Sequence, residues 1–118
     1  MTYVLLIYRA SLNSGPTAKE ERVALRGHRA LQDEASARGK LRAVARLDDT
    51  ATARTVKRDR SGAHAVSDGP YVETKEWLVG FYLVDCAAEQ QAIEHAKSIC
   101  TDEHHAVEVR PVTWAWKP

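Results

Sequence analysis

Few positions in this chain carry side chains that do chemistry, and their spacing narrows what that chemistry is. His28 falls between Ala24, Leu31 and Ala35, apolar positions at helical spacing, so its imidazole shares the buried stripe of a helix. An imidazole takes or gives a proton near neutral pH, and a neighbouring carboxylate makes it a general base. The plainer alternative is a half-buried histidine with a backbone hydrogen bond. Glu73 and Lys75 share a face if their segment is extended. They read either as a solvated ion pair worth little or as contacts to a polar or anionic ligand at a pocket mouth. Tyr8 ends the first apolar run, where a phenol either packs in the core or donates to a substrate oxygen.

Other combinations exclude more than they offer. His95, Cys100, His104 and His105 are types that zinc accepts, but they match no zinc spacing. They lie toward or past a helix end, where the dipole favours histidine, and no metal is expected. Cys86 lacks a second cysteine at redox spacing and reads as a small buried residue. Trp114 and Trp116 share one face if the last strand continues, and would pack at a pocket or an interface. The chain has no glycine-rich phosphate loop, no nucleophilic serine elbow and no aromatic-plus-basic stripe. No cofactor is expected.

The side chains are carried by 118 residues, the length of one domain, 1–118. Seventeen Lys and Arg balance sixteen Asp and Glu, for a formal charge of +1, which argues against a nucleic-acid binder. Hydrophobic residues at 44% and charged residues at 28% fit a globular domain, not a disordered chain. The longest apolar run, Val4 to Tyr8, is far short of the ~20 residues of a membrane helix. The N-terminus lacks the pattern of a secretory signal, and two cysteines are too few for a disulfide framework. A cytoplasmic protein with reduced thiols is expected.

Residues 2–9 are apolar on both faces and predict a central strand. Asn13-Ser14-Gly15-Pro16 breaks it, and Thr17-x-x-Glu20 has the spacing of a capping box. A helix should follow to about Arg38, with Gly39 as its left-handed stop. A weakly alternating strand over 40–47 is followed by runs at 53–58 and 63–66 that flank Asp59-Arg60-Ser61-Gly62, a hairpin tip. Ser67-Asp68-Gly69-Pro70 is a turn by composition, in which Asp68 can accept backbone N–H groups. A strong strand spans 78–84, and Gly80 within it suggests a bulge or a close backbone approach. Asp85 is placed to cap a helix over 87–99 with the stripe Ala88, Ala92, Ala96 and Ile99, and a strand over 106–112 closes the order.

That order predicts an α+β, ferredoxin-like βαββαβ fold with an inserted β-hairpin. Two helices cover one sheet face, so the other is left partly apolar, with Leu5, Val79 or Phe81, and Val107 expected on it. Such a face marks an interface, and a two-fold homodimer packed sheet to sheet is expected.

The segments Asp68-Gly69-Pro70-Tyr71-Val72-Glu73-Thr74-Lys75-Glu76 and Gly80-Phe81-Tyr82-Leu83-Val84-Asp85 resemble the DGPF-type branch of the YCII-related domain family. The opening Tyr3-Val4-Leu5-Leu6-Ile7-Tyr8 and the closing Val107-Glu108-Val109-Arg110-Pro111-Val112 are similar to the family's two ends. Tyr71 stands where the family usually has Phe, and Trp77 replaces a smaller residue. The resemblance implies the dimeric α+β barrel fold. In the YCII branch it implies an active-site pair of a helical His and an Asp, which here correspond to His28 and Asp68. Gly69, Pro70, Tyr71, Glu73, Lys75 and Tyr8 are then candidate substrate contacts. The broader family includes lyases acting on chlorinated hydroquinones, and genes of the DGPF branch often neighbour alternative sigma factors.

Three readings follow. The first is a cofactor-independent lyase or isomerase on a small aromatic or polar molecule. In it His28 moves a proton, Asp68 orients the ring, and Tyr8 or Lys75 stabilises negative charge. The second is a ligand-sensing or partner-binding module associated with sigma-factor-type transcriptional regulation. The third is a structural dimer without a ligand.

Overall fold

The computed structural model describes residues 1–10, 15–72 and 75–115. Strand β1 spans Thr2–Ala10, helix α1 Ala18–Ala37 and strand β2 Leu41–Arg46. A short 3-10 turn at Thr50–Thr52 leads into β3, Arg54–Arg58, and β4, His64–Asp68. Strand β5, Glu76–Asp85, helix α2, Glu89–Ile99, and strand β6, His105–Pro111, complete the chain. One antiparallel sheet has the order β2-β5-β1-β6, and β3 and β4 pair separately as an arm. This is the ferredoxin-like order with an inserted hairpin.

The local signals act as their chemistry requires. Thr17 Oγ1 accepts from the Glu20 N–H and Glu20 Oε1 accepts from the Thr17 N–H, closing the capping box at the start of α1. Gly39 adopts φ +67° just past the end of α1, a conformation that needs no Cβ. At the arm's tip, Asp59 Oδ1 gathers the N–H groups of Ser61 and Ala63 and the Ser61 hydroxyl.

Both helices lie on one face. Beneath them pack Tyr3, Leu5 and Ile7 of β1, Tyr82 and Val84 of β5, Leu31 and Ala35 of α1, and Ala92, Ala96 and Ile99 of α2. Burying each large apolar side chain here contributes roughly 1.5–3 kcal/mol. Gly27 is where the helices meet: a Cβ there would stand 2.1 Å from the Ser98 carbonyl oxygen.

The expected facing of Leu5 and Val107 is corrected, and of the alternatives Val79 or Phe81 it is Phe81 that lies on the open face. Leu5 is fully buried on the helix side, and Val79 and Val107 pack against the same core. Strand β1 is apolar on both sides, so alternation alone could not say which side the helices cover. Val79 and Phe81 fall on opposite sides because the register shifts between Ile7 and Tyr8, which pair with Gly80 and Leu78. Gly80 also meets the second expectation, because a Cβ on it would lie 2.7 Å from the Ala45 carbonyl oxygen of β2. The open face carries Val4, Leu6, Tyr8, Phe81 and Leu83, all half-buried.

Asp85 does not cap α2. It ends β5 and accepts from Arg42 Nε at 2.8 Å and from the Thr2 hydroxyl at 2.5 Å. Ala88 is the N-cap and supplies no side-chain bond, while Gln91 Oε1 accepts from the Ala87 N–H at 2.8 Å.

Candidate active site

The helical register that buries Leu31 and Ala35 also turns His28 inward, onto β5. Its Nδ1 lies 2.7 Å from the Tyr82 hydroxyl, and the two rings are nearly parallel, 7° between planes. Gln32, one turn further along α1, donates its amide N–H to the same oxygen at 3.0 Å. A phenol that accepts from Gln32 is free to give its own proton to His28 Nδ1. With the bond in that direction, neutral His28 carries its proton on Nε2. Burial pushes the His28 pKa down, and the charge of nearby His105 pushes it the same way. Burial raises the Tyr82 pKa, and the bond from Gln32 opposes it.

A second imidazole stands at the start of β6. His105 Nδ1 is 2.8 Å from Asp102 Oδ1, and the Asp102 side chain is only 2% exposed. Asp102 also accepts from the His104 N–H at 2.8 Å. Burial acts to raise the Asp102 pKa, but the bonds from His105 and His104 outweigh it and hold the carboxyl below its ordinary range. With Nδ1 held against the carboxylate, Nε2 is the nitrogen that His105 turns away from Asp102. The second oxygen, Asp102 Oδ2, and the Thr101 hydroxyl are buried without a partner among the described residues. Beside the pair, buried His104 places Nε2 3.8 Å from Glu20 Oε2, and its carbonyl accepts from the Ala10 N–H at 2.7 Å. These contacts tie the first turn of α1 to the ends of β1 and β6.

The other candidates lie elsewhere. Asp68 ends β4, where its carboxylate pairs with Arg54 Nε at 3.2 Å and its side chain is 90% exposed. No contact joins it to His28. Gly69 adopts φ +95°, its N–H donates to the Ala53 carbonyl, and its own carbonyl accepts from the Thr55 hydroxyl at 2.8 Å. Pro70 is half-buried, and Tyr71 is exposed with Lys57 Nζ 5.8 Å over its ring. Lys75 is exposed, and Glu73 lies outside the described residues. Tyr8 sits on the open face of the sheet, opposite to the side on which His28 meets Tyr82. The structure thus gathers Asp68, Gly69, Pro70, Tyr71 and Lys75 along one connection at the arm and keeps His28 beneath α1.

Three partners in this site escaped sequence reasoning. Tyr82 and Gln32 are 54 and 50 positions apart from the groups they meet, His28 and Tyr82 respectively. Asp102 had a local signal: an Asp three residues before His105, at the turn into a strand. Among the described residues no three His, Cys, Asp or Glu side chains converge on a metal position. Cys86 is buried and Cys100 exposed, and both are free. Trp114 is exposed, and Trp116 lies outside the described residues. No helix among the described residues is long and apolar enough to cross a membrane.

The fold defines a small α+β protein of ferredoxin-like topology in which His28 meets Tyr82 and His105 meets Asp102. The chain belongs to the YCII-related domain family, whose model matches residues 1–117. It is also similar to an uncharacterized protein of Rhizobium meliloti (strain 1021). The two are 38% identical over 121 residues, covering 100% of this chain and 96% of the relative.

Proposed function

We propose that the protein binds a small aromatic or polar molecule and moves a proton on it without a resident cofactor, as a lyase or isomerase. The observation that carries this reading is the contrast between the two imidazoles. His105 Nδ1 is bonded to the buried Asp102 carboxylate, whereas His28 Nδ1 meets the Tyr82 hydroxyl and burial lowers its pKa; in its unprotonated form His105 would then serve as the base and neutral His28 as the donor. In this scheme His105 takes a proton from an acidic C–H, and the electron pair moves onto the substrate oxygen. His28 stabilises that oxygen by hydrogen bonding. Return of the proton to a different carbon is isomerisation, and expulsion of a leaving anion is elimination. In this reading the orienting carboxylate is Asp102 beside His105, in place of the Asp68 expected beside His28.

The test is solvent deuterium incorporation into a panel of small phenols, hydroquinones and hydroxyketones, followed by NMR. His105→Ala, His28→Ala and Asp102→Asn should each lower exchange by about 10²-fold or more. Loss in Asp68→Asn with retention in Asp102→Asn would return the carboxylate role to Asp68. Exchange indifferent to all four substitutions sinks the reading.

A second copy of the chain is proposed to cover the open sheet face, on the strength of Val4, Leu6, Phe81 and Leu83 there. The partner-binding reading draws on a different surface. On the arm and the connection after it, Val56, Val66, Tyr71 and Val72 are 63%, 67%, 73% and 53% exposed. Co-purification with an alternative sigma factor, lost on Val56→Ser and Val66→Ser, would support it.

A further inference from the structure

We propose that a cleft at the opposite end of the sheet is a binding site for a small anion bearing carboxylate or phosphate groups. The cleft has a volume of about 490 Å³ and is lined by Thr2, Arg38, Lys40, Arg42, Asp85 and Gln91, among others. Thr2 lies at the start of β1, whereas Arg9, near its other end, pairs with His105. The cleft, which His28 and His105 do not line, is therefore separate from them, and its occupancy does not depend on the proton-transfer reading.

The charges are unbalanced. Arg38, Lys40 and Arg42 face a single lining carboxylate, and that carboxylate, Asp85, is already engaged by Arg42 Nε and the Thr2 hydroxyl. Arg38 has only a loose contact to Glu34, 3.8 Å, with both side chains more than half exposed, so it is available to a ligand at little cost. Lys40 has no carboxylate within ion-pair distance among the described residues. Its backbone is nevertheless fixed: its N–H donates to the Ala35 carbonyl and its carbonyl accepts from the Asp85 N–H. Two cations on a rigid rim, beside an Arg–Asp pair that orients a third, suit an anion with more than one oxygen. The start of α2 borders the same space through Ala87 and Gln91, and its dipole adds to the positive potential, which Glu89 in its first turn partly offsets. The competing role for Arg38 and Lys40 is to complement the carbonyls at the end of α1. That role needs no ligand, and it makes a different prediction.

The full chain is titrated with inorganic phosphate and, separately, with citrate, at constant ionic strength balanced with chloride. Amide resonances of Lys40, Arg42, Asp85 and Ala87 report binding. The expected result is saturable shifts at these positions, weakened about tenfold in Lys40→Gln and further in the Arg38→Gln/Lys40→Gln pair. Spectra elsewhere in the chain should be unchanged, since both side chains are on the surface. Saturation by citrate alone assigns a carboxylate ligand, and saturation by phosphate alone assigns a phosphate. Shifts that stay linear to about 20 mM of either anion, or saturable shifts that survive the double substitution, overturn the proposal.

Discussion

His28 Nδ1 and the Tyr82 hydroxyl share a 2.7 Å hydrogen bond across the interface between α1 and β5, and the phenol is held from its other side by Gln32. Tyr82 is 1% exposed, so water does not replace either partner if one is removed. Tyr82→Phe keeps the ring but strands the His28 and Gln32 groups that faced the oxygen. Urea unfolding should show a loss of about 1–3 kcal/mol. Imidazole 15N shifts should report Nε2–H as the neutral tautomer of His28 in the parent and a mixture in Tyr82→Phe. An unchanged tautomer would mean that the phenol does not set the ring's protonation.

The lowered pKa of His28 couples stability to pH. In the unfolded chain the ring titrates near 6.5, and burial together with the His105 charge depresses it in the fold. Between the two values the unfolded state binds more protons than the native state, so stability rises with pH through that window and is lost on acidification below 6.5. Denaturation midpoints measured at closely spaced pH values should show this slope in the parent and a flatter one in His28→Gln. An identical slope in both would remove His28 as its source.

Gly27 has no room for a side chain, because the Ser98 carbonyl of α2 lies 2.1 Å from where its Cβ would be. Ala is the better helix former, so propensity alone predicts stabilisation of about 1 kcal/mol. Overpacking at a backbone contact costs about 1–3 kcal/mol, and forced separation of two helices lies at the upper end. Gly27→Ala should therefore lower the melting temperature and disturb the neighbouring His28 resonance. A stabilised variant would show that the helices separate freely.

Element order was legible because each signal was local. The Thr17–Glu20 box, Gly39 and the apolar run of β1 act within a few residues of themselves. The facing of β1 was not legible, since a strand apolar on both sides carries no period that distinguishes them. The choice between Val79 and Phe81 depended on a bulge that the glycine beside them only hinted at. In the candidate site, the inward turn of His28 followed from helical spacing. Its partner Tyr82 did not, because a hydrogen bond across 54 positions is set by how α1 lies on β5. Asp102 drew no reading from the sequence, and its burial against His105 is what sets it apart.

Leu6 sits at the centre of the open face, opposite Phe81 on β5 and Glu108 on β6. Its neighbours Val4 and Leu83 pair on the same side. If a second copy covers this face, a carboxylate at Leu6 would be buried directly opposite Glu108, a like charge, at a cost above that of losing the leucine's own contacts. Leu6→Glu should then raise the dimer dissociation constant by about 30-fold or more, the scale of an interface hot spot. In a lone chain the same substitution falls on an accessible sheet face, and its effect on folding should stay modest. Light scattering coupled to size-exclusion chromatography separates the two cases. A dimeric parent with a monomeric, folded Leu6→Glu variant supports sheet-to-sheet packing, whereas a parent that is monomeric at micromolar concentration removes it.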